Sequence, residues 1–178
     1  PSWDGEKFSG STADDWFRVP NHADFQVDGS GELTVVAVAA ATSVTSTQAL
    51  VSNKASFDAA QAGWILGCNS SGLVLLRLTA GVANDDDTQV GPANGQAGVW
   101  AGRVSTAEGL RAFYDGTAAS ATARTVGDTT TSSPLGIGVL GAATTTPWVG
   151  DIYGAYVDRD PLTPQQIADV AEMLVADP

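Results

Sequence analysis

The sequence has a single cysteine, Cys68, so no disulfide can close within the chain. It has a single histidine, His22, and one histidine with one cysteine serves poorly the nitrogen and sulfur ligand set that zinc favours. Basic residues are scarce: Lys7, Arg18, Lys54, Arg77, Arg103, Arg111, Arg124 and Arg159 stand singly. Nucleic acids and anionic membrane surfaces are bound by clustered Lys and Arg, so neither is expected as a partner. The longest apolar run, 35–41, falls far short of the ~20 residues a membrane-spanning helix needs, and no membrane insertion is expected. Residues 1–6 carry neither a basic nor an apolar region, so no signal peptide is expected there. Only four glutamates occur, Glu6, Glu32, Glu108 and Glu172, and none has an acidic residue two places on. Glycoside hydrolysis needs two carboxylates about 5–10 Å apart, and no strand supplies such a pair.

What the chain does hold is small residues, acids and short apolar runs. Its formal net charge is −12, which suits solubility and leaves calcium as the one metal worth weighing, since Ca²⁺ takes carboxylate and carbonyl oxygens. Apolar runs at 16–19, 33–41, 49–53, 64–68, 73–79, 99–104, 110–114, 120–126, 135–138 and 149–157 alternate with Gly, Asn, Asp, Ser and Thr clusters. That spacing predicts strands of a sandwich or barrel. The run 33–41 is apolar on both faces and reads as a covered, central strand. Asn69-Ser70-Ser71-Gly72 and Asp115-Gly116 read as hairpin turns. Near the end the period changes. Thr163-Pro164-Gln165-Gln166 is a capping box with Pro at the first helical position. Ile167, Val170, Ala171 and Leu174 then form one apolar stripe, predicting a helix of about three turns docked on the sandwich.

The order of these pieces resembles a known family. Trp3-Asp4-Gly5 and Asp14-Asp15-Trp16-Phe17-Arg18-Val19 look like its opening, and Glu32-Leu33-Thr34-Val35-Val36-Ala37 like its next strand. Gly63-Trp64-Ile65-Leu66-Gly67, Gly72-Leu73-Val74-Leu75 and Leu110-Arg111-Ala112-Phe113-Tyr114-Asp115-Gly116 follow in the same order. Gly150-Asp151-Ile152 and Leu162-Thr163-Pro164-Gln165-Gln166-Ile167 look like its last strand and terminal helix. Together they resemble the concanavalin A-like lectin/glucanase superfamily in its laminin-G-like jelly-roll branch. The resemblance implies an all-β fold: a two-sheet antiparallel jelly-roll sandwich with one short C-terminal α-helix, one domain over 1–178. Tyr153 and Gly154 stand where that family's last strand often carries acids, which weakens any metal site built there. Its glucanases carry Glu-x-Asp-x-x-Glu on one strand, and this chain has no such run.

Members of the superfamily bind sugars or proteins, and some cleave polysaccharides, so function rests on the site. Exposed rings stack on sugar faces. Trp16, Trp64 and Trp100 lie in strand patterns and read as core. Phe57, Trp148 and Tyr153, nearer loops and ends, are the candidate ligand contacts. Asn84-Asp85-Asp86-Asp87 is the densest oxygen cluster, open to two readings: a solvated acidic loop, or a Ca²⁺ site using Asn84, Asp85 and Asp87. His22 reads as a turn residue and Cys68 as a buried small hydrophobe. The sequence thus points to a non-enzymatic recognition or assembly module. By resemblance to jelly-roll domains on bacteriophage particles, that role is a virion surface protein (capsid decoration, tail or adhesion) bound to other protein subunits or a host surface. The alternatives are a glycan-binding lectin, with or without Ca²⁺, facing a cell-surface glycan, and a polysaccharide-active glycosidase. The expected place of action is the virion surface or the extracellular space. The long loops 54–62, 81–98 and 141–148 are the expected contacts.

Overall fold

The computed structural model describes residues 2–3, 7–12, 15–29, 31–44, 46–58, 60–89, 91, 95–143 and 145–176, giving only the backbone at 2, 3, 88 and 89. Its strands are β1 (Ser2–Trp3), β2 (Phe8–Gly10), β3 (Phe17–Val19), β4 (Leu33–Ala41), β5 (Gln48–Ser52), β6 (Gly63–Cys68) and β7 (Val74–Thr79). They continue as β8 (Asn84–Gln89), β9 (Ala97–Ser105), β10 (Gly109–Tyr114), β11 (Thr117–Ala118), β12 (Leu135–Ile137) and β13 (Gly150–Asp158), followed by helix α1 (Pro164–Val175). Among the described residues they form two sheets, ordered β1-β2-β13-β4-β9-β10-β11 and β3-β12-β5-β6-β7-β8. Every pairing of named strands is antiparallel.

Alternation along each strand decides what lies between the sheets. From β6 the side chains of Trp64, Leu66 and Cys68 enter the central cluster, as do Val74, Leu76 and Leu78 of β7. Val35, Ala37, Ala39 and Ala41 of β4 meet them from the other sheet. Trp100 and Trp148 fill the middle, ring centres 4.8 Å apart and planes at 89°. The other face of β4 is buried as well. Val36 and Val38 join Ala101, Phe113, Ile167, Val170 and Ala171 in a second cluster beneath α1. So β4 is apolar on both faces from Val35 to Ala41 because a sheet covers one face and a helix the other.

The local signals of α1 are all used. The Thr163 side chain accepts from the Gln166 backbone while the Gln166 side chain accepts from the Thr163 N–H. Leu174 departs from expectation: it is half-buried at the end of the stripe. It lies over Gly154, where an added Cβ would come within 3.0 Å of it. Gly154 is thus the residue that lets the last helical turn approach β13.

Two stretches differ from the pattern their sequence predicts. Residues 84–89 are a strand, β8, although Asp is a poor strand former. Residues 120–126, expected as a strand, form a strap carrying one isolated bridge, Leu110 to Thr122. The two exceptions share a cause. Asp85 accepts the backbone N–H groups of Thr125 (2.6 Å) and Val126 (2.7 Å) and the Thr125 hydroxyl. Asp87 accepts the Ala112 N–H (2.6 Å) and the Thr122 hydroxyl (2.9 Å). Inward carboxylates of β8 thereby do for the strap what a neighbouring strand would otherwise do.

Candidate saccharide platform on the outer face of the six-stranded sheet

The outer face of this sheet is built by register. Ser52 of β5 lies opposite Ile65 of β6, Ile65 opposite Arg77 of β7, and Arg77 opposite Asp86 of β8. Since 85 and 87 point inward, 86 points out. Arg77 donates from Nε to Asp86 Oδ1 (2.6 Å) and from Nη2 to Asp86 Oδ2 (2.5 Å), a bidentate pair. A third donor, Nη1, reaches the Phe57 carbonyl oxygen at 3.0 Å. The guanidinium carbon lies 6.0 Å from the centre of the Phe57 ring. The ring itself is half-buried, packed on the small cluster of Ala49, Ile65 and Leu140.

The loop that presents Phe57 is ordered by its own polar groups. Asp58 Oδ1 accepts the Ala60 N–H (2.9 Å) and Ser56 Oγ accepts the Asp58 N–H (3.1 Å), turns of the Asx and Ser type. Lys54 anchors its start. It is fully buried, and Nζ donates to the Asp58 carbonyl oxygen (2.6 Å) and to Thr79 Oγ1 (2.8 Å). Thr79 Oγ1 passes a hydrogen bond on to Asn84 Oδ1 (2.6 Å). Burial, reinforced by the Arg77 charge, pushes the Lys54 ammonium down to about 8, against the pull of Asp58 and Asp86. The sign follows directly. With a folded pKa near 8 and an unfolded one near 10.5, the unfolded chain holds the extra proton in that window. Stability from this group should therefore rise as pH climbs through it. Cys68 and Tyr114, raised by burial to about 11 and about 12, act in the opposite direction above their ordinary values. The Lys54 signal is thus cleanest between pH 8 and 9, as the difference between urea melts of wild type and Lys54→Met. Equal slopes in both proteins would show that the ammonium is not held in this way.

The residues expected to touch ligand do not meet. Phe57 is on this platform. Trp148 is fully buried in the core, a correction to its reading as a ligand contact. Its indole donates to the Asp151 carbonyl oxygen (3.3 Å), and its own carbonyl accepts from Trp16 (3.0 Å). Tyr153 is on the other sheet, at a β-bulge between Ile152 and Gly154, where the extra residue turns its side chain outward. The calcium set is split too. Asp85 and Asp87 face inward, committed to the strap, while Asn84 accepts from Thr79 in line with the outward Asp86. Among the described residues no group of three or more His, Cys, Asp or Glu is placed to hold a metal ion.

Hollows among the described residues also lie elsewhere. A 420 Å³ groove between α1 and β9–β10 is lined mainly by Val38, Val99, Phe113, Ile167, Ala171 and Val175, and offers a sugar few hydrogen-bonding groups. A 110 Å³ slot at the sandwich edge is lined by Phe8, Phe17, Tyr153 and neighbours. It is smaller than the ~300 Å³ from which ligand pockets start. Two of its rings, Phe8 and Phe17, are spent edge to face on each other at 4.6 Å. A third, 400 Å³ at the β9–β10 turn, is lined by Ser105, Thr106, Glu108 and Arg124 and has no ring. There Arg124 donates to the carbonyls of Gly31, Asp28, Val126 and Gly127. The platform at Phe57 sets a ring beside a bidentate carboxylate–guanidinium pair on an open sheet face; Tyr153 also has a charged pair near it, Lys7 with Nζ 5.9 Å from the ring centre and 2.6 Å from Asp151 Oδ2.

Comparison with known proteins agrees with the fold. The CBM40 module of the Ruminococcus gnavus IT-sialidase, solved bound to alpha2,3 sialyllactose, is similar with a TM-score of 0.66 at 15% identity, covering 93% of this chain and 96% of that one. Domain 4 of AbnA, a GH43 extracellular arabinanase from Geobacillus stearothermophilus, solved with arabinotriose, gives 0.64 at 16% identity over 88% of this chain and 72% of that one. A heptameric SAP-like pentraxin from Limulus polyphemus gives 0.59 at 16% identity over 99% and 87%. The fold is a two-sheet antiparallel jelly-roll sandwich, closed by one short C-terminal helix. No protein-family profile and no curated protein sequence matches the chain.

Proposed function

We propose that this chain is a non-catalytic glycan-binding module acting outside the cell, with Phe57, Arg77 and Asp86 as its contact platform. The observation that carries the reading is that solved sandwiches similar over nearly the whole chain hold saccharides: sialyllactose in one, arabinotriose in another. The platform supports it, because a ring face beside a carboxylate–guanidinium pair can stack on a sugar and exchange hydrogen bonds with its hydroxyls. Asp15, Glu32, Asp128 and Asp158 are held below the ordinary carboxylate range, chiefly by hydrogen bonds they accept, so these four are not poised as the general acid a glycosidase needs. The virion-assembly role expected from the sequence draws no support from these likenesses and ranks below glycan binding.

The test is a glycan array followed by titration of the best saccharide against wild type and Phe57→Ala. Affinity should fall about tenfold, the scale of one aromatic stack with its burial. EDTA should leave binding unchanged, since the inward acids serve the strap. An array without saccharide signal, or a Phe57→Ala protein that binds normally, refutes the reading.

A further inference from the structure

Resting on that glycan reading and narrowing it, we infer that the platform selects neutral saccharides and rejects carboxylated ones. A carboxylated sugar is held by a cation free to face it. The platform has two cations, and both are already engaged. Arg77 is closed by Asp86 through two parallel hydrogen bonds, and by the Phe57 carbonyl through a third. Lys54 has no exposed surface and points at the Asp58 carbonyl oxygen and Thr79. The groups that face solvent are instead acids: Asp58 is exposed, and the Asp86 side chain is 37% exposed against 20% for Arg77.

One further cation belongs to this face. Arg18 of β3 falls in the same cross-strand row, through Gly136, Ser52 and Ile65. Four strand spacings separate it from Arg77, about 19 Å at ~4.8 Å each. That is beyond the ~8 Å screening length at physiological salt. Arg18 is also turned toward the Gly141 and Ala143 carbonyl oxygens at 2.9 and 2.8 Å. The long-range field is no help to an anion either, with a formal net charge of −12.

A neutral sugar meets a different surface. Each Asp86 oxygen keeps lone-pair capacity beyond the single hydrogen bond it accepts from Arg77, and the guanidinium keeps N–H groups beyond the three in use. Hydroxyls, which donate and accept without charge, can use both. Neutral specificity then follows from the pairing of Arg77 with Asp86, and breaking that pair should change it.

The experiment compares lactose, 3′-sialyllactose and arabinotriose by calorimetric titration against wild type and Asp86→Ala, at low salt and at physiological salt. Wild type should bind a neutral member, and sialylation should weaken binding. Neutral binding should be insensitive to salt. In Asp86→Ala the guanidinium is unmasked, and 3′-sialyllactose should bind about tenfold tighter than it does to wild type, with the gain lost on adding salt. A wild type that binds 3′-sialyllactose as tightly as lactose, or tighter, overturns the inference and leaves the glycan reading standing. So does an Asp86→Ala protein, folded by circular dichroism, that shows no gain. If none of the three sugars binds and the array is also silent, both fall together.

Discussion

Asp85→Ala should cost about 3–5 kcal/mol in urea unfolding, although no apolar contact is removed. The carboxylate accepts the Thr125 and Val126 N–H groups at 2.6 and 2.7 Å, and the Thr125 hydroxyl as well. Asp85 is 6% exposed, so the donors it leaves behind cannot readily find water. Each buried donor deprived of its partner costs about 1–3 kcal/mol, and two are backbone groups without an alternative. Against a total stability of roughly 5–15 kcal/mol, that is a large share. Asp86, next along β8, is the internal control. Its pair with Arg77 is partly exposed, and Asp86→Ala should cost under about 1 kcal/mol. Hydrogen exchange adds a local readout: Thr125 and Val126 amides should lose protection in Asp85→Ala before the core does. Equal losses for the two variants, or retained protection at Thr125 and Val126, would mean that the strap is held by something else.

Trp148→Ala should be about as damaging, at roughly 3–5 kcal/mol, the range for removing a large buried ring. The residue has no exposed surface, and its ring meets Trp100 edge to face at 4.8 Å. Its backbone is fixed as well: the Trp148 N–H donates to the Gly138 carbonyl oxygen at 2.8 Å. A conservative Trp148→Phe should recover part of the loss. A ligand role would give the opposite pattern, with binding abolished and the melting curve unchanged.

How much of this was legible in the sequence depends on whether the cause was local. Each α1 signal lies within four residues of the next, and the helix is where they place it. The apolar run of β6 and the two-faced apolarity of β4 are likewise carried by the segments themselves. The strand β8 was not legible, because the Asp residues that look like a solvated loop are satisfied by residues 112–126, far along the chain. Trp148 was misjudged for a similar reason. Pro147 and the loop before it suggest a surface, but a parallel bridge to Ala49 and the bond to Gly138 draw the ring inside. Of the platform, Phe57 could be read as a loop ring. Arg77 and Asp86 could not, since their meeting depends on the β7–β8 register, and nothing in a hairpin of unknown turn type fixes that.

The central claim is that saccharide binds at Phe57, Arg77 and Asp86, and backbone-amide NMR during a titration with neutral oligosaccharide tests it most directly. Shift changes should concentrate at residues 54–58, 76–78 and 85–87, on one face of the six-stranded sheet. They should be absent from α1 and from the bulge at Tyr153. Changes that instead cluster at Tyr153, at the helix groove or at the β9–β10 turn, or a spectrum that no oligosaccharide disturbs, would contradict the account.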